Sequence, residues 1–124
     1  MPDKLLILDA LEHIDMMLQT IGKRAEGEED FEQLTLSFDG MMKLDAICMN
    51  LITLGEMVMG LDKLSAGLLL PKYPHIHWQG IMRMRDKIAH HYFEIDAEVI
   101  QQTIIEDIPL LKETIRQMKT DLSK

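Results

Sequence analysis

Leu5, Leu8, Leu11, Ile14, Leu18 and Ile21 recur at intervals of three and four, the spacing that lines up one face of an α-helix. The pattern predicts an amphipathic helix over about 3–23, with Asp3 as its N-cap. The stretch Ala25-Glu26-Gly27-Glu28-Glu29-Asp30 is acidic and poor in apolar residues, so it reads as a loop. Phe31, Leu34, Leu36 and Phe38 then suit a short helical or extended bridge. A second long helix is predicted over roughly 38–64, capped by Ser37, with Leu44, Ile47, Cys48, Leu51, Leu54, Val58 and Leu61 on one stripe. Gly55 falls in its middle, where glycine costs about 1 kcal/mol relative to alanine. Close packing of another helix at that point is the expected reason for it.

Pro71 and Pro74 break the chain after Leu70, and a third helix is predicted from about Ile76 to Tyr92. Asp96 fits an N-cap, with Ile95 and Ile100 placed as a hydrophobic staple, and a fourth helix continues to Asp107. Pro109 marks a kink or a restart, and the last helix carries Leu110, Leu111, Ile115, Met118 and Leu122. No alternating β-branched run is bracketed by hairpin turns, and no internal repeat is visible. The expectation is an all-α, up-and-down bundle of four to five helices forming one domain over residues 1–124.

A single cysteine, Cys48, excludes an intrachain disulfide and makes a reducing compartment the default. No apolar run approaches the ~18 residues of a membrane span, and Met1-Pro2-Asp3-Lys4 lacks the pattern of a signal peptide. A cytoplasmic protein without a membrane partner is expected. With 13 basic against 21 acidic residues the net charge is −8, which opposes binding of nucleic acid by bulk electrostatics. The charge is unevenly distributed, however. From Lys72 to Tyr92 the basic residues Lys72, Arg83, Arg85 and Lys87 face a single acid, Asp86, for a local +3 on a body of −11. His75, His77, His90 and His91 share that window. The 11 methionines are many for this length, and Met41, Met42, Met49, Met57 and Met59 lie on the second long helix, several off its apolar stripe. They read either as adaptable core filler or, with a slight preference, as a helix–helix dimer surface.

The segment Arg83-Met84-Arg85-Asp86-Lys87-Ile88-Ala89-His90-His91-Tyr92 is the chemically informative one. On a continuous helix Arg85, Asp86, His90 and Tyr92 fall within an arc of about 160°, with Ile81, Met84 and Ile88 on the adjoining apolar face. Asp86 and His90, at i and i+4, are spaced for the carboxylate to hold one ring nitrogen and fix the tautomer. An Arg fork, an oriented His and a Tyr hydroxyl make a site for a phosphate. A purely structural reading stands beside it: Arg85 paired with a bundle carboxylate, Tyr92 in the core and the histidines on the surface.

Arg85-(x4)-His90-x-Tyr92 resembles the Arg-x(4–6)-His motif of the HEPN superfamily, in particular the HepT-type ribonuclease toxins encoded beside a minimal nucleotidyltransferase antitoxin. Asp45-Ala46 followed by Asn50-Leu51-Ile52-Thr53-Leu54-Gly55-Glu56 is similar to that family's second helix with its Ile-Gly-Glu signature. Tyr73-Pro74-His75-Ile76-His77-Trp78 resembles the lead-in to its motif helix, and Phe93-Glu94-Ile95-Asp96 and Asp107-Ile108-Pro109-Leu110-Leu111-Lys112 resemble its closing segments. The likeness runs from about residue 39 to 115. Asp86 stands where that group usually has Asn, and Gln101 and Gln102 occupy the region of a common tryptophan. The added negative charge of Asp86 weakens the pull of Arg85 on a phosphate.

The resemblance implies metal-independent RNA cleavage, endonucleolytic rather than exonucleolytic, with no cofactor and no catalytic metal. The ribose 2′-OH would attack the adjacent phosphate while His90 moves a proton, Arg85 stabilises charge on the phosphoryl oxygens and Asp86 orients His90. One motif supplies one well-placed His where the reaction wants an acid and a base, so a homodimer with the site at or beside its two-fold interface is expected. His91 points elsewhere. By the same analogy a nucleotidyltransferase antitoxin transfers AMP to Tyr92 and silences the RNase by filling the anion site. The alternative is a non-catalytic HEPN module that binds a nucleotide or the nucleotidyltransferase. A carboxylate-bridged metal bundle is disfavoured because no Glu-x-x-His pair occurs, and His75-x-His77 on a loop is an unspecific metal signal.

Overall fold

Asp3 opens the first helix by accepting hydrogen bonds from the backbone N–H groups of Leu5 and Leu6, so α1 runs Lys4–Ala25. The computed structural model describes residues 3–124; Met1 and Pro2, the first half of the N-terminal tetrapeptide read above, lie outside the described residues. The predicted bridge is a one-turn helix, α2 (Phe31–Leu34), that buries Phe31 and Leu34 and leaves Leu36 and Phe38 exposed. Ser37 accepts from Gly40 N–H at 2.9 Å to cap α3 (Phe38–Leu64), whose entire predicted stripe is buried. After a 3-10 turn at Leu70–Lys72 the chain enters α4 (Trp78–His90). Asp96 then caps α5 (Ala97–Gln102) by accepting from Glu98 N–H. Pro109 offers no N–H to the carbonyl four residues back, and the helix relaxes into a π turn over Thr103–Asp107 before α6 (Ile108–Ser123).

The long helices form the predicted all-α bundle. Central α3 packs against α1 on one side and α4 on the other, and α6 returns to α1. One shared core links Ile7, Leu11, Ile14 and Leu18 of α1 to Ile47, Leu51 and Leu54 of α3, Ile88 of α4 and Leu111, Ile115 and Met118 of α6. Among the described residues, α3 is the one helix whose length and composition would suffice to cross a membrane. In this fold it is the core helix, with Lys43, Asp45 and Glu56 along its outer side. Cys48 is buried, which pushes its thiol up to about 11 and keeps it unreactive.

Two polar ties hold the periphery to this core. The amide of Gln101 works with both ends: its oxygen accepts from Phe31 N–H at 2.9 Å and its nitrogen donates to Glu29 O at 2.6 Å. Gln101 thereby fastens the acidic loop and α2 onto α5. Lys119 of α6 donates to the buried Asp15 of α1 at 2.8 Å and to Glu12 at 3.2 Å. Burial alone would raise the Asp15 carboxyl, but the hydrogen bond and charge of Lys119 outweigh it and hold the group below its ordinary 3.8.

Two outcomes are expected. Gln101→Ala leaves the part-buried Phe31 N–H without an acceptor and lowers stability in urea unfolding by about 1–2 kcal/mol. Because the Asp15 value is depressed on folding, its contribution is present above about pH 4 and fades as the pH falls through the folded-state value. The Lys119→Met variant should therefore lose less stability than the wild type between neutral and acid pH, read as thermal midpoints across that range.

Candidate active site

Before α4 begins, the chain is fastened at four points. Tyr73 Oη donates to Asp121 at 2.6 Å, His75 Nε2 lies 2.9 Å from Thr114 Oγ1, Trp78 Nε1 donates to Tyr73 O at 3.0 Å, and Arg83 reaches His77 Nε2 at 3.1 Å. Burial and the Asp121 carboxylate push the Tyr73 phenol up to about 12. The lead-in segment therefore serves as an anchor for the motif helix. At the other end, the His91 N–H closes α4 on Lys87 O at 2.8 Å and its ring lies 3.7 Å from Glu94. Three of the four clustered histidines have structural partners; His90, in the last position of α4, is exposed and engaged by no side chain among the described residues.

Arg85 lies across α3. A Cβ at Gly55 would fall deep inside the van der Waals radius of Arg85 Cβ and 2.9 Å from its Cγ, so the absence of a side chain at 55 lets the stem of Arg85 lie on the α3 backbone. The side chain is 27% exposed, and its guanidinium donates to Asp86 through Nη1 at 2.6 Å and to Glu56 through Nη2 at 3.4 Å. The Asp86 hydrogen bond, outweighing desolvation and aided by the charges of Asp86 and Glu56, raises the guanidinium further above its ordinary value, so it is a permanent cation. A surface groove of about 750 Å3 opens at Arg85 and is walled by Glu56, Met59, Gly60, Lys63 and Met82. A separate, largely apolar cavity of about 250 Å3 lies between α3, the lead-in segment and the π turn.

Two expectations are corrected. The motif helix ends at His90, so Tyr92 sits on a 3-10 turn (Tyr92–Glu94) and not on the helical arc; there it is half-buried and its hydroxyl donates to Asp45 of α3. Asp86 makes no hydrogen bond to His90 among the described residues; its Oδ1 accepts instead from the neighbouring guanidinium, a charge-assisted donor stronger than a neutral imidazole. Within one copy, Arg85 and His90 are separated by five residues of helix, about 7.5 Å along the axis and about 140° around it. Asp45 and Glu56 complete the constellation. Periodicity did not single them out, since each lies far from α4 in sequence and on the outer side of α3.

An all-helical bundle with Arg-x4-His closing its motif helix is a HEPN-type domain. The HepT-like ribonuclease family matches residues 7–118, and the chain belongs to that family. It is similar to a probable ribonuclease HepT from Thermococcus cleftensis, 43% identical over 47 residues, 38% of this chain and 43% of the relative. A candidate RNase from Methanocaldococcus jannaschii is 35% identical over 78 residues, 60% of this chain and 61% of the relative. A candidate RNase from Caldanaerobacter subterraneus is 29% identical over 112 residues, 87% of this chain and 89% of the relative. The chain thus spans less than two thirds of the first two relatives' own length. No solved structure matches it.

Gly55→Ala is expected to destabilise the protein despite the helix propensity it adds. The atom it meets is the root of the Arg85 side chain, so α4 itself must move, at a net cost of about 1–2 kcal/mol in denaturant unfolding.

Proposed function

We propose that this protein is a metal-independent ribonuclease in which Arg85 and His90 act on a phosphodiester of RNA. The observation that carries the reading is selective engagement. His75 and His77 hydrogen-bond to structural partners and His91 lies against Glu94, whereas His90 meets no side chain among the described residues and follows an Arg85 that lines a groove. His90 takes the proton of a ribose 2′-OH as its oxygen attacks the adjacent phosphorus. Arg85 holds the charge that builds on the phosphoryl oxygens, and the 5′-oxygen leaves with a proton, giving a 2′,3′-cyclic phosphate and a 5′-hydroxyl end. Cleavage within the strand suits an open groove.

The second proton-transfer group comes from a second copy of the chain. Supporting this, α3 keeps apolar side chains in solvent beyond its buried stripe: Phe38 (80% exposed), Met42, Met49 (61%) and Met59 lie on its outer side, interleaved with Asp45 and Glu56. Pairing of these faces across a two-fold axis would cover them and bring two motif helices to one cleft. Tyr92, held beside the site by Asp45, is the residue to which a nucleotidyltransferase antitoxin would attach AMP, placing a phosphate where Arg85 binds one. A reducing, cytoplasmic setting accords with the single buried Cys48. The alternative, a non-catalytic HEPN module, draws support from the two carboxylates that already occupy the Arg85 fork.

Purified protein should cleave single-stranded RNA in EDTA. Each of His90→Ala and Arg85→Ala should lower the rate about 10²–10⁴-fold, and His90→Ala should do so with an unchanged thermal midpoint. Intact RNA with the wild type under all conditions would leave the binding-module reading standing. Met49→Glu should convert a dimer to a monomer by light scattering and abolish cleavage with it.

A further inference from the structure

We infer that Phe93 is a base-stacking platform for the RNA strand bound at this site, an inference that rests on RNA being the ligand. Phe93 is 102% exposed, more than any other large apolar residue among the described residues. Its exposure does not come from a loose chain end. The turn that carries it is closed by Glu94 N–H on His91 O at 2.9 Å and Ile95 N–H on Tyr92 O at 3.2 Å. On either side the chain is pinned inward, by Tyr92 bonded to Asp45 and by Ile95 packed on the core. The backbone therefore presents one aromatic ring to solvent from a fixed position three residues beyond His90, with its centroid 6.3 Å from that of Tyr92.

The surroundings of Phe93 select between the two occupants that would cover it. Its neighbours His90, His91 and Glu94 are exposed and polar, so a second copy meeting it there would find a lone ring on a polar field and bury little apolar surface. The exposed apolar residues of α3 (Phe38, Met42 and Met49) form the patch suited to that contact. An unpaired nucleobase needs only a planar face, with cations near its phosphates. Arg83 and Lys87, both exposed on the helix leading to Phe93, supply them within the one window of positive charge on an acidic body. A flat ring three residues beyond the proposed reacting histidine holds a base without reading its edge, and so positions the strand while tolerating sequence.

A 2′-O-methylated single-stranded oligonucleotide, which cannot be cleaved, tests this by fluorescence anisotropy independently of catalysis. Phe93→Ala and Phe93→Leu should each weaken its binding roughly 5- to 100-fold, and Phe93→Trp should retain it. Thermal midpoint and oligomeric mass should not change. In cleavage assays the two weak variants should raise KM with kcat little altered. Wild-type affinity in Phe93→Leu would overturn stacking in favour of a merely apolar contact. A change of oligomeric mass in Phe93→Ala would overturn it in favour of an interface between copies. Absence of wild-type binding would remove the ligand itself, whereas tight binding without cleavage of ordinary RNA would sink the catalytic reading and leave the stacking platform intact.

Discussion

The close approach of α4 to α3 at Gly55 is the constraint on which the site depends. Arginine is long and flexible, and an unsupported guanidinium spends most of its time away from any one geometry. Because α3 has no side chain at position 55, the stem of Arg85 is laid along a helix backbone and only the fork remains to be oriented. Glu56, the next residue on α3, and Asp86, the next on α4, are then placed to receive it. The same contact sets the height of His90 at the end of α4 and the start of the turn that carries Tyr92 and Phe93. A glycine that weakens its own helix thus serves the packing of another.

The proposed anion site has two carboxylates already on its arginine, and the resolution of that conflict lies in exposure. Asp86 and Glu56 are open to water, so the ion pairs they make with Arg85 are screened and contribute little. They align the guanidinium without committing it, and in the proposed reading a phosphate that brings two oxygens at once would displace them. The Asp15–Lys119 pair is the contrasting case. Its carboxylate is buried, its partner sits on the facing helix, and it ties α1 to α6 without access to any ligand.

Helix α3 has two roles that compete for the same residues. Its inner stripe is the centre of the core, which demands apolar side chains on one face. Its outer face mixes exposed methionines with Asp45 and Glu56, the two carboxylates that hold Tyr92 and Arg85. Methionine suits such a face because it adapts its shape to a partner while tolerating water better than a rigid branched side chain would.

The sequence by itself determined the helices and most of their buried faces, although Leu5, on the predicted stripe of α1, is exposed and Ile7 is buried instead. Spacing of three and four is a property of one segment, and the caps Asp3, Ser37 and Asp96 act on N–H groups within three residues. It also predicted close packing at Gly55, and it placed Arg85 and His90 on one helix. Only the tertiary structure decided where that helix stops, since the pull of Asp45 on Tyr92 outweighs the intrinsic tendency to continue. The partners were likewise beyond local reading. That Glu56 meets Arg85, that His75 anchors on Thr114, and why Gln101 stands at its position are settled by groups distant in sequence, and a periodic pattern carries no information about what lies across a contact.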